Sequence, residues 1–226
     1  MAPFLRVTWA VFRKDLAVER RAKEGINGLA FFALLLLFLF YFALGPDGER
    51  LRAALPGLFW LTFVLAGLLG LGRAFALERE NACVDGLVLA PGDKGAIYLG
   101  KLLAVSLLML AMEAVFVAAT GFFYNLDLWA AVPRLVPVGL AGTVGFAAVG
   151  TLFAAMTAQL RARELLLPVL LLPLAVPVLI AAVRLTEVAL AGGPAEGSSG
   201  WWRLLLGFDV VFLTAGLLTF EFVLEP

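Results

Sequence analysis

The 226 residues contain no histidine and a single cysteine, Cys83, and only 15% of them are charged. Each scarcity excludes something. Without histidine the chain lacks the commonest metal ligand and the commonest general base. One cysteine allows no internal disulfide, no Cys-x-x-Cys redox pair and no thiolate cluster, and it reads as an inert buried thiol. Basic and acidic residues number 17 each, so no net field recruits nucleic acid or an acidic substrate. A soluble domain is typically about 25% charged and about 45–50% apolar. Here the hydrophobic share is 63% and the mean hydropathy +1.01. One core of this size cannot enclose that excess, which leaves lipid as its solvent.

Long uncharged runs fill the space the charges leave. Residues 25–46, 53–72, 135–160 and 165–183 carry no charge, and residues 102–126 and 204–220 carry one acid each, Glu113 and Asp209. About 20 apolar residues cross a bilayer. The sequence therefore predicts an all-α membrane protein with six transmembrane helices, at about 26–44, 54–72, 102–124, 134–158, 165–186 and 204–222, in a single domain covering 1–226. Lys and Arg in the connections set the direction. Arg6, Arg13, Lys14, Arg20, Arg21, Lys23, Arg73, Arg79, Lys94, Lys101, Arg161 and Arg163 fall on one side, against Arg50, Arg52, Arg134, Arg184 and Arg203 on the other. Both termini are expected in the cytoplasm. Charges run up to Glu24, and the apolar stretch after it reaches spanning length, which fits an uncleaved helix.

Two segments outside the spans have a pattern of their own. In residues 3–24, Leu5, Trp9, Phe12 and Leu16 form an apolar stripe at helical spacing, beside Arg6, Arg13 and Arg20. This is the signature of an amphipathic helix lying in the membrane interface. The connection 73–101 is long, and long connections in compact proteins usually carry function. Within it, residues 82–89 can form a short helix with Val84, Leu87 and Val88 on one side, ended by Pro91-Gly92. Glu78, Glu80 and Asp85 make its surroundings acidic. Exposed apolar residues rimmed by charge mark a contact surface, and a short helix in a partner's groove is a recurrent solution. The stretch 80–89 is the expected handle for a partner protein.

The same connection holds a decoy. Gly95-Ala-Ile-Tyr-Leu-Gly100-Lys101 matches a phosphate-binding loop, but Leu102 stands where Ser or Thr would bind magnesium, and no hydrophobic strand precedes it. Nucleotide hydrolysis is not expected in this chain, and no catalytic or metal-binding residues are identified. Glu113 is different. A charge at mid-bilayer costs about 2.5–3.5 kcal/mol on insertion scales, so such residues face a bundle interior. It is either a pathway or switch residue, or a protonated glutamate hydrogen-bonded to a neighbouring helix. The fourth span is rich in small residues (Gly139, Gly142, Gly145, Gly150), which permit close helix approach. The fifth carries Pro168, Pro173 and Pro177, which invite kinks. Trp201-Trp202 read as an aromatic interface anchor.

Several motifs resemble the haem exporter protein B family, the membrane subunit of the ABC transporter of cytochrome c maturation. They are Phe12-Arg-Lys-Asp-Leu16, Leu58-Phe-Trp60, Leu71-Gly-Arg-Ala-Phe-Ala-Leu-Glu-Arg-Glu80, Asp85-Gly-Leu-Val-Leu-Ala-Pro91 with Gly100-Lys101, and the proline-spaced run 165–180. The resemblance runs from about residue 10 to 185. It implies a six-helix permease of the ABC-2 type, with an amphipathic N-terminal interfacial helix and a cytoplasmic coupling helix, in the bacterial inner membrane. Glu80, Val84, Asp85, Gly86, Leu87 and Val88 would then couple to the ATPase. It also implies a separate ABC ATPase subunit, haem-handling membrane proteins and a periplasmic haem chaperone as partners. Haem would be a substrate of the complex, with no cofactor held by this chain. An ABC-2 permease for a lipid, glycan or drug, and a non-transporting scaffold relaying ATPase motion, are the competing readings.

Overall fold

The computed structural model describes residues 2–22, 24–45, 48–80, 93–123, 128–158, 160, 162–192 and 197–224. Among them it forms seven helices and no strand: α1 (Ala2–Ala22), α2 (Glu24–Leu44), α3 (Gly48–Glu80), α4 (Lys94–Phe123), α5 (Val132–Thr157), α6 (Arg163–Ala191) and α7 (Ser199–Leu224). Five stretches are long and apolar enough to cross a membrane: Glu49–Arg73, Lys94–Phe123, Val132–Thr157, Glu164–Ala191 and Ser199–Val223. In α2, Ala30–Leu44 is a shorter apolar helix.

The connection read as residues 73–101 is shorter in the structure. Helix α3 continues to Glu80 and α4 starts at Lys94. The run Arg-Ala-Phe-Ala-Leu-Glu-Arg-Glu at 73–80 consists mostly of good helix formers, so nothing ends the helix when the apolar window does. At the other side, Asp93 caps α4: its Oδ1 accepts the Gly95 N–H at 2.8 Å. The phosphate-loop look-alike at 95–101 therefore lies inside a helix. Most of its backbone N–H groups point into the helical ladder, where they cannot cradle a phosphate.

Helix α5 forms the centre and packs against α3, α4, α6 and α7. Every residue from Gly145 to Thr151 is buried, so it is enclosed on all sides at mid-length. A chain of ring contacts ties its neighbours to it: Phe116 to Phe59, Phe59 to Trp60, Trp60 to Phe63, and Phe63 to Phe146, with centroids 4.9–5.4 Å apart. Helix α2 joins through Ala33 and Leu37 against Phe116.

Helix α6 stays helical through all three prolines. Its buried residues Leu167, Leu171, Ala175, Val178, Ala182 and Leu185 recur every three or four positions, while Pro173 and Pro177 lie on the exposed side. The outer surface is apolar: Phe42, Phe122, Leu165, Val210 and Phe222 are each more than 60% exposed. An apolar surface that extensive is stable only in lipid or under another protein.

Helix α1 packs along α4. The face it docks is not its apolar stripe. Thr8, Val11 and Glu19 are buried, whereas Leu5 and Trp9 are 63% and 58% exposed. At 100° per residue, Thr8, Val11, Asp15 and Glu19 share one face, the apolar stripe flanks it, and Arg6, Arg13 and Arg20 lie beyond. The stripe is thus left outward, between the docked face and the arginines, which is the arrangement a lipid interface stabilises.

Candidate functional site

The polar groups inside this apolar bundle are few, and several of them gather around α5. Thr143 on α5 donates a hydrogen bond to Glu113 Oε1 on α4 at 2.6 Å, and both residues are buried. The other carboxylate oxygen, Oε2, occupies the space that a side chain at Gly139 would need. On α3, Trp60 Nε1 donates to Thr186 Oγ1 on α6 at 3.0 Å, and Thr186 in turn donates to the Ala182 carbonyl at 2.7 Å. The Trp60 ring fills the socket above Gly142. Asp209 on α7 fills the one at Gly145, and its Oδ1 has no hydrogen-bond partner among the described residues. Leu71 fills the one at Gly150. The space these glycines leave is taken by side chains. Each glycine receives one large or acidic side chain from α3, α4 or α7.

Two cavities meet at Glu113. One is a narrow cleft of about 50 Å³, walled by α2, α3 and α4, with Glu19, Thr62 and Arg73 also on its border. The other is a chamber of about 790 Å³ lined by Phe59, Trp60, Phe116, Phe122 and Trp129, with Thr120 and Thr186 among its few polar groups. A third cavity, of about 690 Å³, shares Leu55, Leu128 and Leu190 with the chamber and carries Arg52 and Glu187. Glu113 lies on a wall between a cleft that reaches α1 and a chamber that opens toward the far end of α3.

At the α1 end, Lys101 is buried and pairs with Asp15 at 3.4 Å, and Asp15 also meets Lys14 at 3.0 Å. Next to it, a side chain at Gly100 would strike the Thr8 carbonyl and Val11. The Gly100-Lys101 dipeptide is thus the docking point of α1. Tyr98, one turn earlier, donates to the Ala148 carbonyl at 3.0 Å and lies over Gly216, joining α4, α5 and α7.

Of the residues singled out in the sequence, Glu113 lies in the bundle interior as expected. Glu80 is the last residue of α3. Val84, Asp85, Gly86, Leu87 and Val88, together with the expected short helix at 82–89, fall outside the described residues. Reading the sequence missed Thr143, the Trp60–Thr186 link and the Lys101–Asp15 pair. Only the second had a signal, a lone tryptophan amid an apolar run, since a buried indole usually finds an acceptor.

Fold and site define a multi-pass, all-α membrane protein with several buried polar groups gathered around one enclosed helix. The CcmB protein family matches residues 6–224, and the chain belongs to it. Relatives include heme exporter protein B of Pseudomonas aeruginosa, 33% identical over 193 residues (84% of each chain). That of Rhodobacter capsulatus is 37% identical over 183 residues, 79% of this chain and 81% of the relative. That of Paracoccus denitrificans is 38% identical over 188 residues, 81% of this chain and 84% of the relative. The family match continues through α7, beyond the region where the sequence motifs were recognisable.

Proposed function

We propose that this chain is the permease subunit of an ABC transporter in the bacterial inner membrane, coupling ATP hydrolysis by a separate ATPase to haem export, or to haem-chaperone release, in cytochrome c biogenesis. The relatives' shared description, heme exporter protein B, supports the substrate. With α2 as the first, the spans number six, of ABC-2 type, and the lysine and arginine bias puts both termini in the cytoplasm. Helix α1 rests at that interface with Leu5 and Trp9 in lipid and its arginines toward headgroups. The chain has no histidine to ligate haem iron, so that role falls to a companion protein.

The observation that carries the mechanism is the convergence of α1, α3 and α4 at one end. Only 13 residues, 81–93, join α3 to α4, and α1 is locked to α4 through Gly100 and Lys101. A push on that connection would reach three helices as a rigid-body displacement. Val84, Leu87 and Val88, with Glu80, Asp85 and Gly86, form the proposed ATPase contact. The test is Val84→Asp with Leu87→Asp. The variant is expected to reach the membrane in normal amount, to lose co-purification with the ATPase and to stop cytochrome c maturation. Retained ATPase binding would overturn the assignment. Haem accumulation in vesicles holding the whole complex, with and without ATP, separates export from scaffolding.

A further inference from the structure

The narrow cleft beside Glu113 has no place in the reading above. Its border runs along α4 from Val105 to Phe116, about 16 Å at 1.5 Å per residue. The middle is apolar: Ala66, Gly67 and Met109. The polar groups stand at its ends, Glu19 and Arg73 at the α1 end, Thr62 and Glu113 toward mid-bundle. Two of these are incomplete. The Thr62 hydroxyl and Arg73 Nε are buried with no hydrogen-bond partner among the described residues. Buried polar groups are almost always satisfied, and those the protein leaves are satisfied by water. A volume of about 50 Å³ exceeds the roughly 10–15 Å³ that a cavity needs to admit water. A lipid chain in the same space would give neither group a partner.

The geometry points to a water-filled cleft that gives the Glu113 carboxyl proton access from the α1 end of the bundle. A short file of water between Arg73, Thr62 and Glu113 would pass protons by hydrogen-bond exchange, with no net chemistry. On the other side, Glu113 faces a chamber lined mainly by apolar and aromatic residues, and Thr143 holds Oε1. The inference concerns water and protons only, and it stands whether or not the chain moves haem.

The test is infrared spectroscopy of the intact protein in lipid nanodiscs on transfer to heavy water, following the carboxylic-acid band that disappears in Glu113→Gln. In the wild type the band is expected to shift promptly. Ala66→Leu, which fills the cleft, and Thr62→Val, which removes its hydroxyl, are expected to slow the shift by about tenfold or more, since a group cut off from water exchanges only through local opening. Ala118→Trp, which crowds the large chamber, is expected to leave the rate unchanged. Equal rates in the wild type and both cleft variants would overturn the inference. So would slowing by Ala118→Trp alone, or a wild-type band that never exchanges. If Ala66→Leu does not fold, the near-isosteric Thr62→Val carries the test.

Discussion

Helices α5 and α6 are both long and apolar, yet they occupy opposite environments. The more hydrophobic of the two is the less buried: the apolar window of α6 has mean hydropathy 2.7 and is 33% buried, while that of α5 has 1.8 and is 72% buried. In water the order would be the reverse. In lipid, apolar surface gains nothing by leaving the solvent, so close packing and internal hydrogen bonds decide which helix goes inside. Helix α5 offers glycine sockets and threonines. Helix α6 offers leucine and proline, and turns Leu165, Val169 and Ile180 outward.

The sharpest test of this contrast uses one chemical change in two places. Gly142→Ala puts a methyl group into the Trp60 ring, whereas Gly207→Ala on α7 meets nothing. Alanine favours a helix by about 1 kcal/mol over glycine, so Gly207→Ala should be neutral or stabilising. Gly142→Ala should destabilise by about 1–3 kcal/mol through overpacking. Retention of monodisperse protein on heating in detergent reads the difference. Equal stability of the two would break the contrast.

An effect of similar size but more local reach is expected at the α1 dock. Asp15→Ala removes a carboxylate from the buried Lys101, at about 1–3 kcal/mol for a charged hydrogen bond. Amide exchange should rise in residues 2–22 while α5 stays protected. A rise throughout the bundle would mean that α1 is part of the core instead of an appendage to it.

Thr143→Val should cost less, about 0.6 kcal/mol on average for an interhelical hydrogen bond in a membrane. Any loss of cytochrome c maturation at normal protein levels would then reflect the role of Glu113 and not folding. Glu113→Gln, which keeps the size and can still accept from Thr143, is expected to insert normally and lose maturation. Normal maturation in that variant would make the residue structural. Least costly of all, Pro173→Ala on the exposed side of α6 should lose no more than about 0.5 kcal/mol and can gain stability, because proline removes a hydrogen bond from a helix interior. A larger loss would show that something covers that face.

The apolar windows and their spacing were legible in the sequence because the need for about 20 residues of low charge is a local requirement of the bilayer. The apolar stripe of α1 was legible for the same reason, through its period. The ends of α3 and α4 were not, since a change from apolar to polar residues marks where lipid stops and says nothing about where a helix does.

Which side chain fills which glycine is a different kind of fact. The sequence determined that Glu113 could not face lipid, because a charge there is too costly, and that close approach would occur along residues 139–150. It could not determine that Thr143 meets Glu113, that Trp60 reaches Thr186 across 126 positions, or that Lys101 is neutralised by Asp15. Those pairings depend on the rotation and height of helices relative to one another, set by all their contacts together. Only the tertiary structure fixes those two coordinates, and it is they that place a cleft on one side of Glu113 and a chamber on the other.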